Sequence, residues 1–367
     1  MPGNRPIPLQ PPTRLFPSDL DRVVTTASGA FEQLRNARIF ITGGTGFVGR
    51  WMLETLLRAN ERMNLDVRAL LLTRDPDSFR RTYPHLAGVP EVELIEGDVR
   101  SFAFPEGPID RVVHLAAETN TDLRNPDPEV YFDVILGGTR RVLDFVEHCH
   151  ATSLTFASSG AVYGPQPAAV AKLHEDDPFA PLPTNTRAAY GEAKRCAEML
   201  IYARSERVGF SATVARCFAF VGPYLPLDSG FAVGNFIRDA MIKREIIVNG
   251  DGSPRRTYLY ASDMAAWLWS IAVKGRSGRP FNVGSDTAVS IAELARLVAS
   301  SAGGDVAVTI RGEKGRVGVG GAYIPDISRA RTELGLEVTV DLEEAVARTL
   351  SWHHAGPQTS QPERAPL

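Results

Sequence analysis

The chain has 367 residues, 44% of them hydrophobic, and a formal net charge of -3. That is an ordinary globular composition, and a pI near 6.2 lacks the basic excess of a nucleic-acid binder. No apolar run reaches the roughly 20 residues of a membrane span, and the opening MPGNRPIPLQPP has no apolar signal-peptide core, so a cytoplasmic location without a membrane partner is expected.

Residues 1–17 are proline-rich and read as an extended arm. Residues 18–35 suit a short helix starting at Ser18 or Asp19. Apolar, β-branched runs follow at Arg38–Thr42, Val67–Leu72, Val92–Ile95, Arg111–Ala116, Ser153–Ala157 and Ala212–Arg216. Helical spacing separates the later runs, at Pro128–His148 and Ala188–Ser205. Short buried strands alternating with helices predict an α/β fold, a doubly wound parallel sheet of the Rossmann kind. After Val221 the rhythm breaks into short pieces (Ile246–Val248, Pro280–Val283, Ser290–Ala299), read as a smaller C-terminal substrate-binding lobe. The expected organisation is an arm and short helix over 1–36, a dinucleotide-binding domain over 37–220, the lobe over 221–354 and a loose tail over 355–367. Three cysteines without CxxC spacing, Cys149, Cys196 and Cys217, predict neither a disulfide framework nor a metal site.

The first strand runs into TGGTGFVGR, residues 42–50. Gly43 allows the tight turn, Gly46 lets a pyrophosphate approach the backbone, and Gly49 permits close helix–strand packing. Thr45, Phe47 and Val48 complete the turn, and the helix starting near Phe47 aims free N–H groups at the phosphates. The second strand ends in Thr73-Arg74-Asp75. Arg74 suits a 2′-phosphate and hence NADP, whereas Asp75 suits the ribose of NAD, and both cofactors stay open. Asp98 and Val99, after the third strand, are placed beside the adenine. Leu115 and Ala116 close the fourth run and Ala117 follows it, and their place along a cofactor cleft is what the family resemblance given below implies.

Tyr190 and Lys194 form a YxxxK pair at a helix start, on one face. A free tyrosine, with a pKa of about 10, is a poor base at neutral pH. A neighbouring ammonium and a nicotinamide cation would favour its phenolate. Ser159, at the end of the fifth strand, is the expected hydroxyl beside the substrate oxygen, with Ser158 as the less favoured neighbour.

Together these motifs, with HLAAE (114–118), SSGAVYG (158–164) and NGDGSPRRTYLYASD (249–263), resemble the extended short-chain dehydrogenase/reductase family, the NAD-dependent sugar-nucleotide epimerases and dehydratases. The resemblance implies Tyr190 as base, Lys194 as ribose anchor and Ser159 as hydroxyl partner, acting on carbon 4 of a nucleotide-diphosphate sugar. It implies Arg256 on the substrate pyrophosphate, Arg316 as a second phosphate contact, and a homodimer formed through the helix of Tyr190 and the Pro128–His148 helix. Related 4,6-dehydratases carry Asp-Glu after the catalytic hydroxyl; this chain has Gly160-Ala161, which favours a 4-epimerase. Glu118 is the one nearby acid that keeps dehydration open, and a 4-ketosugar reductase is the other alternative. Ala219 and Ile135 stand where the family commonly has asparagine.

Overall fold

The computed structural model describes residues 14–117, 127–228, 230–312 and 321–355. Six of the apolar runs become parallel strands: β1 (Arg38–Thr42), β2 (Arg68–Thr73), β3 (Val92–Glu96), β4 (Arg111–His114), β5 (Ser153–Ser159) and β6 (Ser211–Cys217). They stand in the order β6-β5-β4-β1-β2-β3. Their runs read as unbroken hydrophobic stretches because helices cover both sheet faces.

The first helices are α1 (Pro17–Thr26) and α2 (Ser28–Phe31). The single helix expected from Ser18 therefore begins one residue early, with Pro17 at its first position, and breaks at Ala27. The proline-rich arm also ends sooner than expected. Leu15 is buried, and its N–H donates to Glu54 at 3.1 Å.

Between the strands lie α3 (Phe47–Met63), α4 (Pro76–Thr82), α5 (Pro84–Ala87), α6 (Pro128–Phe132), α7 (Gly138–His148) and α8 (Ala189–Val208). The expected Pro128–His148 helix is interrupted by a π-helical turn over Asp133–Gly137. The wide turn keeps Ile135 in the core and brings Gly138 against Val99, where a Cβ would lie 2.9 Å from the valine methyl.

Beyond β6 come β7 (Phe220–Val221), α9 (Ala232–Ile242), β8 (Glu245–Val248), β9 (Arg255–Thr257), β10 (Leu259–Tyr260), α10 (Ala261–Lys274), β11 (Pro280–Val283), β12 (Ala288–Ser290), α11 (Ile291–Ser301), β13 (Ala307–Ile310), α12 (Ser328–Leu334) and α13 (Leu342–His354). Strands β8 and β13 pair in parallel, and β9 pairs with β12 antiparallel. The piece read as Ser290–Ala299 is a helix with Ser290 as its cap in a capping box with Glu293. One expectation is corrected. Pro280–Val283 was assigned to the lobe, but β11 pairs with β6 and forms the seventh strand of the main sheet. The buried helix α10 supplies the crossover that parallel pairing requires, and β11 covers an edge that β6 would otherwise expose.

The strand ends Thr42, Thr73, His114, Ser159 and Cys217 consequently share one edge of the sheet, the edge where open α/β sheets bind ligands.

Candidate active site

The glycine turn is shaped by a close approach of backbone to backbone. Gly43 has φ +70°, and a Cβ on it would sit 2.7 Å from the Ala116 nitrogen. A Cβ on Gly49 would overlap the backbone of Gly43 and Gly44. Gly46 caps α3 and stays exposed, with Thr45, Phe47 and Val48 half-buried around it. This cradle fits a dinucleotide pyrophosphate at a helix N-terminus.

Leu115, Ala116 and Ala117 leave β4 directly beside the turn. Thr42 fixes them: its hydroxyl accepts from the Ala116 N–H at 3.2 Å and bonds His114 Nδ1 at 2.7 Å. His114 Nε2 in turn meets the Thr139 hydroxyl at 3.2 Å. Burial pulls the His114 pKa down to about 3, so the ring is neutral.

At the tip of β2, Arg74 is exposed and has no ion pair among the described residues. The Asp75 carboxylate caps α4 by accepting from the Ser78 N–H at 2.8 Å. Asp98 is gripped by Arg100 through Nε at 2.7 Å and Nη2 at 2.9 Å, and that grip holds its carboxyl below the usual range. Val99 is buried in the core rather than facing a cleft.

The reactive groups gather at the end of β5. Tyr190 and Lys194 share one face of α8, and Ser159 closes β5 near the Tyr190 phenol. Burial pushes the Tyr190 pKa up, and the Ser159 hydroxyl opposes that rise. The Tyr131 ring packs edge-on against Tyr190 at 5.6 Å. Lys194 is 1% exposed, donates to the Ala157 carbonyl at 2.7 Å and lies 4.5 Å from the centre of the Phe156 ring. Burial brings its pKa down to about 8. The Lys194 nitrogen lies 5.9 Å from the centre of the Tyr190 ring, with one of its N–H groups spent on the Ala157 carbonyl.

The sequence pattern of the NAD dependent epimerase/dehydratase family matches residues 39–284. The chain belongs to that family. Among relatives, UDP-glucuronic acid decarboxylase 6 of Arabidopsis thaliana is 29% identical over 319 residues, 85% of this chain and 87% of the relative. A dTDP-glucose 4,6-dehydratase of Streptomyces griseus is 28% identical, covering 86% and 94% of the two chains. The structure of UDP-N-acetylglucosamine 4-epimerase from Methanobrevibacter ruminantium M1 shares the fold, with a TM-score of 0.76 and 20% identity over 88% of this chain and 99% of that one.

Within the family frame, one candidate moves. Ser158, read as a substrate contact, is buried and donates to Glu198. Glu198 is also held by Arg216, at 2.7 Å from Nη2, and Arg216 donates to the Tyr163 hydroxyl at 3.0 Å. This network locks β5, β6 and α8 together beneath the site. Successive strand residues face opposite sides, so the alternation of Ser158 and Ser159 was the signal that separates them. Arg256 donates to the Gly321 carbonyl at 2.6 Å and lies beside the Tyr323 ring. Glu118 and Arg316 lie outside the described residues.

Sequence reading passed over two further groups. Cys217, opposite Ser159 in the β5–β6 register, faces Lys194 and Tyr190, and burial pushes its thiol up to about 12. Tyr323 reaches the same point from the far end of the chain. Separately, a cavity of about 560 Å³ opens in the lobe, lined by Phe236, Arg238, Asp239, Lys243, Asn249 and Arg311.

If Ser158 is structural, Ser158→Ala leaves Glu198 short of one buried donor and destabilises the fold by about 1–3 kcal/mol. Urea unfolding should show that loss, while calorimetry should show unchanged nucleotide-sugar affinity; a large loss of that affinity with normal stability would reinstate Ser158 as a substrate contact.

Proposed function

We propose that this family member is an NAD(P)-dependent nucleotide-sugar 4-epimerase acting through a transient 4-keto intermediate. The observation that carries the reading is the set Ser159, Tyr190 and Lys194, with only Gly160 and Ala161 where a dehydratase would hold its acid and base. Tyr190, as phenolate, takes the proton of the carbon-4 hydroxyl while Ser159 steadies the same oxygen. A nicotinamide dinucleotide held by its pyrophosphate at the glycine turn would supply hydride acceptance and return. Lys194 would anchor the nicotinamide ribose from its buried position. Tyr190 would hand the proton back to the carbon-4 oxygen, so that the product differs from the substrate in configuration alone and no net redox change is expected. Leu115, Ala116 and Ala117 line the cofactor cleft.

The lobe cavity, with its three cationic side chains and one carboxylate, suits the nucleotide of the sugar substrate, and Arg256 suits the path between cavity and Tyr190. The decarboxylase and dehydratase relatives favour second readings that share the first step. Loss of carbon dioxide from a 4-keto uronic acid needs no residue beyond those that oxidise carbon 4. Arg74 supports NADP, because it is exposed at the end of β2 and makes no close ion pair among the described residues, its charge acting on Asp98 without a close contact. A homodimer through α6, α7 and α8 is supported by Val130, Phe132 and Met199, which are exposed apolar side chains on those helices.

Incubation with UDP-, dTDP-, GDP- and CDP-hexoses and UDP-glucuronic acid, with catalytic cofactor, should give a new hexose isomer in proton NMR. Tyr190→Phe should slow it at least 100-fold. A 6-deoxy methyl signal or a pentose product would replace the epimerase reading. Arg74→Ala should weaken NADP about tenfold and leave NAD unchanged in calorimetric titration; equal effects on both would remove the arginine from cofactor choice. Sedimentation equilibrium should give a dimer that Met199→Glu dissociates, and a monomeric parent protein would refute that assembly.

A further inference from the structure

The glycine turn runs into a helix whose first turn carries the wrong charge. Helix N-termini favour acidic side chains, because the dipole is positive there. The first turn of α3 has none, and its fourth residue is Arg50. Arg50 is half-buried, and burial lowers its pKa only to about 10, so it stays charged at neutral pH. Its fork is held on three sides. Nε donates to the Gly46 carbonyl at 3.2 Å, Nη1 to the Tyr83 hydroxyl, and Nη2 to the Tyr224 carbonyl at 3.3 Å. The guanidinium also lies over the Tyr83 ring at 4.7 Å and the Tyr224 ring at 4.5 Å. Tyr224 is a firm support. It holds φ +69°, which a tyrosine adopts only where its surroundings impose it. Its hydroxyl donates at 2.5 Å to Glu54, one turn further along α3, and the neighbouring Pro223 carbonyl accepts from Trp51 Nε1 at 2.8 Å.

We propose that Arg50 is a positioning residue for the cofactor, which aims the Phe47 N–H at the dinucleotide pyrophosphate through its grip on the Gly46 carbonyl. Gly46 and Phe47 share one planar trans peptide unit, in which the carbonyl and the following N–H point in opposite directions. Holding the carbonyl toward Arg50 therefore holds the N–H away from it. Phe47 opens α3, so that N–H is one of the four that no helical carbonyl can reach. Glycine admits many backbone conformations at little cost, and Gly46 alone would leave this peptide free to rock. Arg50 removes that freedom from the helix side. Tyr83, between α4 and α5, and Tyr224, in the loop beyond β7, brace it from outside. Phosphate charge bound at this helix end would also offset the conflict between the arginine and the dipole. The inference rests on the glycine turn as the dinucleotide site and is independent of which sugar reaction follows.

The test is calorimetric titration of the full chain with NAD and with NADP, paired with urea unfolding of each variant. Arg50→Lys keeps the charge but cannot span the Gly46 and Tyr224 carbonyls with a rigid fork. It should weaken the better-bound dinucleotide about tenfold, the effect of losing a charge-assisted hydrogen bond, and Arg50→Met should weaken it no less. Tyr83→Phe keeps the ring and removes the hydroxyl that holds Nη1. It should weaken binding about threefold, and adding it to Arg50→Lys should add nothing. A folded Arg50→Lys protein with the parental affinity would overturn the proposal, since charge alone would then suffice. So would a lowered unfolding midpoint with unchanged affinity, which would leave the arginine a stabilising role only. If both Arg50 variants fail to fold, Tyr83→Phe decides, and an unchanged affinity there overturns the proposal. A parent protein that binds neither dinucleotide would remove the glycine turn as the site and the proposal with it. The titration uses no sugar, so the outcome of the sugar panel bears on the epimerase reading alone.

Discussion

The architecture of the site hangs on one buried hydroxyl. Thr42 ends the first strand, accepts the Ala116 N–H and bonds a neutral imidazole at His114. That pair of contacts draws the tips of β1 and β4 together until Gly43 has no room for a side chain. The glycine turn, the mouth of α3 and the chain leaving β4 are then a single rigid lip. His114 passes the constraint to α7 through Thr139. A charged imidazole in that place would be costly to bury, and its depressed pKa shows which form the fold accepts.

A second buried network performs the same service one strand further along. Glu198, with Ser158, Arg216 and Tyr163, ties α8 to β5 and β6. Asn282 on β11 extends it, accepting from the Tyr163 hydroxyl at 2.8 Å and donating its N–H to Glu175 at 2.9 Å. Removing one partner of such a network costs more than any single bond in it is worth, since the rest stay buried. Glu198 lies one turn beyond Lys194 on the face of α8 that carries Tyr190, so charge-assisted bonds fix that face of the helix where it meets the sheet.

Much of this was legible in the residues. The glycine turn and the YxxxK pair announce themselves because their spacing is local: a strand-to-helix corner and one turn of helix. The alternation of apolar runs and helical segments gave the layers for the same reason. What stayed hidden was non-local. Pro280–Val283 is four residues long, and nothing in them says that they return to the main sheet. Tyr323 lies in a stretch without periodicity, so only the folded chain brings it to Gly160 and Phe218. Ser158 was within reach of the strand alternation rule but was read by proximity to Ser159. At Arg74 the residue was visible while the hydrogen bonds that engage Asp75 and Asp98 were not.

The first helix carries a consequence for how the protein is made. Asp19 is fully buried, yet its partners are Tyr260 at 2.6 Å and Arg348 at 2.6 Å, the latter 329 residues away in sequence. Trp352 likewise donates to the Arg14 carbonyl at 3.1 Å. On the ribosome, α1 is made long before the helix that completes its contacts. The central strands can assemble in order of synthesis, but Asp19 lacks its arginine partner until α13 has been made. Contacts of such long separation are slow to close, which makes completion of the C-terminal helix, rather than formation of the sheet, the step that seals the molecule.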